Sequence, residues 1–227
     1  MISDVHIGAP HSKVKEAAEF LSSVDCDRLI MNGDIIDGWQ LKNSSDKWTV
    51  VHSAFFYVIM KMMEKHSTEV IYVTGNHDDF LDPLVPSKMA NITLVNEYII
   101  KEKNHSYVVI HGHAFDSITA RLTFLAKLGD VAYNLLLKFN NVWNRARLKR
   151  GKEYYSLSKV IKHKVKQAVS AISGFESDLD SFARAKGCDG IICGHIHTPE
   201  DKYLKSGVHY LNSGDWVESL TALTEDY

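Results

Sequence analysis

Five short polar clusters hold most of the side chains in this chain that could do chemistry together. They read Ser3-Asp4-Val5-His6, Gly33-Asp34, Gly75-Asn76-His77-Asp78, His111-Gly112-His113 and Gly194-His195-Ile196-His197. In Asp4-x-His6 and His195-x-His197, alternate residues of an extended backbone point the same way, so both side chains of each pair can grip one ion. Carboxylates, imidazoles and one Asn amide oxygen make a borderline-hard ligand set, suited to Mn, Fe, Zn or similar divalent ions. The adjoining glycines let the backbone turn sharply and leave room for ions and an anionic ligand. A lone His is more often a surface or core residue than a ligand. Five clusters of one chemical type in matching contexts outweigh that simpler explanation.

The elements that would have to position these clusters are visible in the periodicity. Short β-branched runs alternate with stretches of helical period, the pattern of an α/β domain. Strands are predicted at Arg28–Asn32, Val70–Thr74, Ser106–His111, Gly190–Cys193 and Val208–Asn212, each followed by Gly, Asp, Asn or His. The polar clusters therefore fall at strand carboxyl ends, the edge where open α/β sheets bind ligands. Helices are predicted at Ser12–Ser23 and Thr49–His66, each opened by a hydroxyl residue able to cap it, and at Leu157–Ser173 and Ser177–Lys186. After Asp116 the strand signal stops for some sixty residues, and a helical insertion in one domain of 227 residues is expected over about 117–175. Only Met1, Ile2 and Ser3 precede Asp4, although strands usually run about 5–6 residues. That raises the expectation that the numbered chain is a shortened form of a longer product.

Bulk properties exclude several classes. A hydrophobic fraction of 45% and a charged fraction of 24% are ordinary for a soluble globular chain. The sparse cysteines Cys26, Cys188 and Cys193 form no framework, which points to a reducing, cytoplasmic setting. No apolar run reaches the length of a membrane span. The net charge of −2 hides a segregation. Between Ser117 and Ser170 twelve Lys and Arg face only Asp130 and Glu153, a local charge of +10 that leaves −12 for the rest.

The order DxH, GD, GNHD, GH, GHxH resembles the calcineurin-like metallophosphoesterases, and the likeness runs from Ile2 to about Leu223. It is closest to the subgroup related to the UDP-2,3-diacylglucosamine hydrolases of lipid A synthesis. Gly33-Asp34-Ile35-Ile36-Asp37-Gly38-Trp39, Tyr155-Ser156-Leu157-Ser158 and Asn212-Ser213-Gly214-Asp215-Trp216-Val217-Glu218 carry that finer likeness. The resemblance implies a four-layer α/β/β/α sandwich and two divalent ions, most readily Mn. One ion would sit on Asp4, His6, Asp34 and His197, and the second on Asp34, Asn76, His111 and His195, with Asp34 bridging. A hydroxide held between the ions would attack phosphorus in line. His77 would protonate the leaving oxygen, with Asp78 orienting its ring; Asp78 merely capping the next helix is the plainer alternative.

Two departures bear on the substrate. The lipid hydrolases carry Arg where His77 stands, and an acidic residue where His113 stands. His113 is read either as an outer partner of the site or as an exposed residue. Asp37 and Asp116 are candidates to orient ligand histidines. Trp39 is either a wall for a nucleoside or acyl chain or a core residue. His52, His66, His105 and His163 lack motif context and are read as surface residues. Lys164 and Lys166 lie in a segment resembling the substrate-binding helix of the lipid hydrolases, although residues two apart on a helix cannot both face one site.

Three readings of the basic insertion stay open: a lid over acyl chains and diphosphate, an amphipathic surface lying on anionic lipid at the inner membrane surface, or helices with a solvated basic face. The expected activity is hydrolysis of a phosphodiester or diphosphate of a lipid-linked nucleotide such as UDP-2,3-diacylglucosamine. The alternatives are a soluble phosphodiesterase or nucleotidase, and a non-catalytic lipid- or nucleic-acid-binding module. Nucleic acid is the weaker partner class, because no aromatic-basic interleaving forms a base-stacking groove.

Overall fold

The computed structural model describes residues 1–43, 48–101, 105–115 and 174–225. Residues 117–173 of the expected insertion, with Lys164, Lys166 and the basic run after Trp143, lie outside the described residues, as does Asp116. The chain divides into two compact units, Met1–Ala114 with Leu179–Tyr227, and Phe115–Asp178. The first unit carries all five polar clusters.

Its strands are β1 (Arg28–Asn32), β2 (Glu69–Val73), β3 (Ser87–Met89), β4 (Ile92–Val95), β5 (Glu97–Lys101), β6 (Ser106–Ile110), β7 (Gly190–Cys193), β8 (Glu200–Tyr203) and β9 (His209–Asn212), and its helices α1 (Val14–Ser22), α2 (Gly38–Asn43) and α3 (Val50–His66). They build two mixed sheets, ordered β1-β2-β4-β3 and β5-β6-β7-β9-β8. The pairs β1/β2, β2/β4, β6/β7 and β7/β9 are parallel, and the edge strands β3, β5 and β8 run antiparallel. Parallel centres send the carboxyl ends of β1, β2, β6 and β7 to a common edge. Ile2 and Ile7 extend the first sheet past β1 through parallel bridges to Met31 and Ile36.

Strand alternation sets the layers. Leu29 and Met31 of β1 with Val70 and Tyr72 of β2 pack against Ala17, Ala18 and Leu21 of α1 and Phe55, Ile59 and Met62 of α3. The intervening Ile30, Ile71 and Val73 face the other way, onto Ile100, Val109 and Ile192 of the second sheet. Val108 and Ile191, of opposite parity in that sheet, are fully buried on its outer face. The helical residues 179–185 supply the fourth layer and bury Leu179 and Ala183 completely. This is the expected α/β/β/α sandwich.

Some local expectations are corrected. Four short strands, β3, β4, β5 and β8, were not predicted, although Ile92–Val95 and Glu97–Lys101 are rich in β-branched and aromatic residues. Ser12 does not cap α1, whose N-cap is Lys13; the Ser12 hydroxyl donates instead to the Val5 carbonyl at 2.6 Å, bracing the segment between Asp4 and His6. Thr49 does open α3 with a capping box closed by His52, which gives that histidine a structural task. A cavity of about 810 Å³ opens at the amino-terminal edge of the sheets, lined by Ile30, Tyr107 and Ile192 among others, and contains none of the clustered polar residues.

The inter-sheet layer fixes where the strands end. Ile71 is 1% exposed there, so Ile71→Ala should lower unfolding free energy by about 2–5 kcal/mol. Urea denaturation checks this; a loss under about 0.5 kcal/mol would mean that the two sheets do not depend on this packing.

Candidate metal centre

Each cluster sits on a loop leaving a parallel strand or the bridge segment beside β1, and the loops are laced by main-chain bonds. Asp4 N donates to Gly33 O at 3.0 Å, His6 N to Asp34 O at 2.9 Å, and Trp216 N to Asp4 O at 3.0 Å. The backbone at Asp4, His6, Asp34, His195 and His197 is left-handed, with φ from 52° to 66°. For non-glycine residues that conformation costs roughly 1–3 kcal/mol and persists only where the surroundings enforce it. Glycines clear the space. A Cβ on Gly75 would overlap the Asp34 carboxylate, and one on Gly194 would overlap that of Asp4.

Three groups of donor atoms, each with all members within 4.8 Å, emerge: Asp4, His6 and His197; His6, Asp34 and His77; Asp34, His111 and His195. His6 Nε2 and His197 Nε2 lie 3.3 Å apart. Two imidazole nitrogens held at about 2.0–2.1 Å by one tetrahedral ion stand roughly 3.3–3.4 Å apart. The two carboxylates are used alike. Asp4 Oδ2 accepts the His195 amide at 3.0 Å, leaving Oδ1 at 3.2 Å from His197 Nε2. Asp34 Oδ1 accepts the His77 amide at 2.8 Å, leaving Oδ2 at 3.1 Å from His111 Nε2 and 3.8 Å from His6 Nε2. Among the described residues, Asp4 Oδ1, Asn76 Oδ1 and His111 Nε2 are buried without an aligned hydrogen bond, close as some neighbours are. Buried polar atoms are seldom left so. Six of the seven residues expected to hold ions thus gather in groups that could hold divalent ions, with Asp34 in two of the groups, and Asn76 offers a buried oxygen without a hydrogen bond.

Behind them stands an outer ring. His111 Nδ1 donates to the Asn32 carbonyl at 2.9 Å, which fixes Nε2 as the ligating nitrogen. Asp37 Oδ2 is 3.3 Å from His6 Nδ1, and its Oδ1 is 3.1 Å from His77 Nδ1. Asp37 therefore takes the place expected of Asp78. Asp78 is fully buried and accepts from the Ile35, Ile36 and Gly75 amides and the Tyr72 hydroxyl, pinning the loop after β1 to the loop after β2. Burial first, and then Asp34, push its carboxyl up to about 6. Its chemistry is that of a clamp, because four donors already surround it. Asp215, given no role from sequence, lies 3.9 Å from His197 Nδ1 while capping the turn at Val217 and Glu218. Its signals were an acidic residue just beyond a strand end and its place in the Asn212–Glu218 stretch. His113 sits beside the cluster, its ring 5.6 Å from His111 and 6.4 Å from His195. Trp39 is half exposed, not core, and its ring lies tilted at 34° against that of His77, with centroids 4.1 Å apart.

Charge balance follows from these distances. Burial alone would raise Asp4 and Asp34, yet nearby histidines hold both carboxyls below the usual range. Burial opposes the charged form of His111, but Asp34 and Asp4 push it up to about 10. His197 is also raised, burial being overcome by Asp4, Asp215 and Asp34. Without an ion, protons on these rings neutralise the carboxylates. An ion must displace them, so affinity should rise with pH throughout the range below about 10, by roughly tenfold per pH unit for each proton displaced. Calorimetric Mn²⁺ titration at pH 6 and pH 8, in buffers of different ionisation enthalpy, measures both affinity and proton release. Equal affinity at the two pH values would remove these histidines from the ligand set.

The sequence model of the calcineurin-like phosphoesterase family matches residues 1–199. Among solved structures, the chain is similar to a predicted phosphoesterase from Streptococcus pneumoniae TIGR4, at 16% identity over 94% of this chain and 70% of that one, with a TM-score of 0.38. An archaeal phosphodiesterase matches at 14% identity over 97% and 85%, TM-score 0.42. Vacuolar Protein Sorting 29 from Cryptosporidium parvum matches at 15% over 97% and 77%, TM-score 0.45. No curated protein matches. Since the family match spans most of the sequence and takes in all five polar clusters, the chain belongs to the calcineurin-like phosphoesterase family.

Proposed function

We propose that the chain is a hydrolase dependent on two divalent ions, most readily Mn²⁺, that cleaves a phosphodiester or diphosphate. The observation that carries this reading is one oxygen, Asp34 Oδ2, lying between His111 Nε2 at 3.1 Å and His6 Nε2 at 3.8 Å, one nitrogen from each ligand group. Asp4, His6, Asp34 and His197 would hold one ion, and Asp34, Asn76, His111 and His195 the other. Bound there, the ions would neutralise phosphoryl charge and acidify water.

The chain's own residues do the rest. Asp34 and Asp4 each anchor one oxygen on a backbone amide, so the other cannot swing away from the ligand groups. Asp37 faces His77 Nδ1, which leaves Nε2 to hand a proton to a leaving oxygen. Burial favours the neutral ring of His77, but Asp37 and Asp34 outweigh it and raise its proton affinity, as a general acid requires.

The substrate class follows from the motif likeness to the UDP-2,3-diacylglucosamine hydrolases, so a lipid-linked nucleotide diphosphate of that kind is the proposed substrate. The half-exposed Trp39 beside His77 supports an apolar or flat substrate portion. The +10 segment supports contact with an anionic, lipid-bearing surface on the cytoplasmic side. Among the described residues no helix is long and apolar enough to cross a membrane. His77 itself favours a second reading, a soluble phosphodiesterase or nucleotidase, because the lipid hydrolases carry Arg at that position.

Chelation should abolish hydrolysis and Mn²⁺ should restore it, with Asp34→Asn the most damaging ligand change because it weakens both sites. UDP-diacylglucosamine set against bis-p-nitrophenyl phosphate and mononucleotides separates the two substrate readings. Full turnover after chelation, or in Asp34→Asn, would sink the two-ion reading, and metal binding without turnover on any of these would leave a non-catalytic binding module. His77→Ala should slow turnover by roughly 10²–10⁴-fold with metal content retained. That loss should shrink for nitrophenolate leaving groups, which need no proton. An equal loss for good and poor leaving groups would make His77 a positioning residue instead.

A further inference from the structure

Core packing does not account for the position of Trp39. The side chain is 44% exposed, yet it is held on both sides. Its ring lies tilted at 34° against His77, with centroids 4.1 Å apart, and Nε1 donates to Asp79 Oδ2 at 3.2 Å. The next residue after Asp79, Phe80, is 49% exposed. Its ring edge lies so close to Gly38 that a Cβ there would come within 2.7 Å of Cδ1. Single exposed apolar residues need no explanation. Two large rings on adjoining segments, one fixed by a hydrogen bond and tilted against an imidazole and the other set against a glycine, do need one.

The direction of the reaction makes this arrangement selective, given the function proposed above, on which the inference rests. In hydrolysis a water oxygen bonds to phosphorus and the bond from phosphorus to the leaving oxygen breaks. The leaving oxygen takes the His77 Nε2 proton, the water's surplus proton passes to solvent, and His77 is reprotonated from solvent. The leaving oxygen must therefore lie at His77, and the carbon skeleton it carries must lie on the Trp39–Phe80 side. The retained phosphate half faces the polar ligand groups and gains nothing from that wall. We infer that Trp39 and Phe80 choose which of the two phosphorus–oxygen bonds of an unsymmetrical diester or diphosphate breaks: the substituent with the larger flat or apolar body is the one released. The substrate class this fits is a phosphodiester or diphosphate whose leaving half, not its retained half, is the aromatic or lipid-bearing one.

Product partition of ethyl 2-phenylethyl phosphate in saturating Mn²⁺ tests this. The two alcohols are similar as leaving groups, so chemistry alone divides the products nearly evenly. The native protein should release 2-phenylethanol over ethanol by roughly tenfold, the discrimination an apolar wall supplies. Trp39→Ala, with metal content checked, should bring the ratio within about twofold of even, and Trp39→Phe should keep part of the bias. A product ratio is unmoved by partial loss of folded protein, so a destabilised variant still reports. Even partition by the native protein, or an unchanged ratio in Trp39→Ala, overturns the inference and leaves the proposed function standing. No cleavage of either bond by protein that turns over UDP-diacylglucosamine or bis-p-nitrophenyl phosphate overturns the inference alone, and no divalent-dependent turnover of any of these substrates overturns the proposed function, and the inference with it.

Discussion

Two carboxylates, Asp4 and Asp34, are buried at 0% and 2% exposure and must still carry charge. Taking an ionised carboxylate out of water costs several kcal/mol even after relaxation, and the architecture around the strand ends answers that cost. One oxygen of each is bonded to a backbone amide from a neighbouring loop. The other faces imidazoles that can hold a proton or share an ion. The parallel centres of both sheets matter functionally because they deliver those amides and imidazoles to one edge. Remove the two charges and nothing explains the buried unbonded oxygen of Asn76, the left-handed ligands or the glycines under each carboxylate.

Much of this was legible in the sequence, for a definite reason. Ligands at the ends of parallel strands appear as short polar words after apolar runs, so Asp4, His6, Asp34, Asn76, His111, His195 and His197 could be read as a set. The strands that carry them also read well, with ends displaced by at most one residue. Strands β3 and β8 were missed because nothing about Ser87–Met89, exposed throughout, or Glu200–Tyr203, with alternate positions exposed, resembles an apolar strand. Their pairing is imposed by the neighbouring strand.

The outer ring was harder. Asp78 adjoins His77 in sequence and Asp37 does not, so proximity along the chain favoured the wrong carboxylate. Which acid faces a ring depends on the turn between the loops, and Asp78 turns inward to the amides of Ile35, Ile36 and Gly75. The Asn32 carbonyl behind His111 could not be read at all, since a backbone oxygen leaves no mark in residue type. The two oxygens of Asp37, on His6 and on His77, also join a ligand to the proposed acid, so no change at position 37 acts on one alone.

The left-handed backbone at Asp4, His6, Asp34, His195 and His197 has an evolutionary corollary. Glycine is the residue that would relax each of those five positions, and glycine there erases a ligand. The chain therefore cannot drift toward greater thermal robustness at its most strained points while keeping its chemistry. Robustness has to accumulate elsewhere, in the inter-sheet layer and on the outer helices. Descendants released from the need to bind ions would be expected to betray it first by glycine, or by residues of ordinary backbone preference, at those five positions.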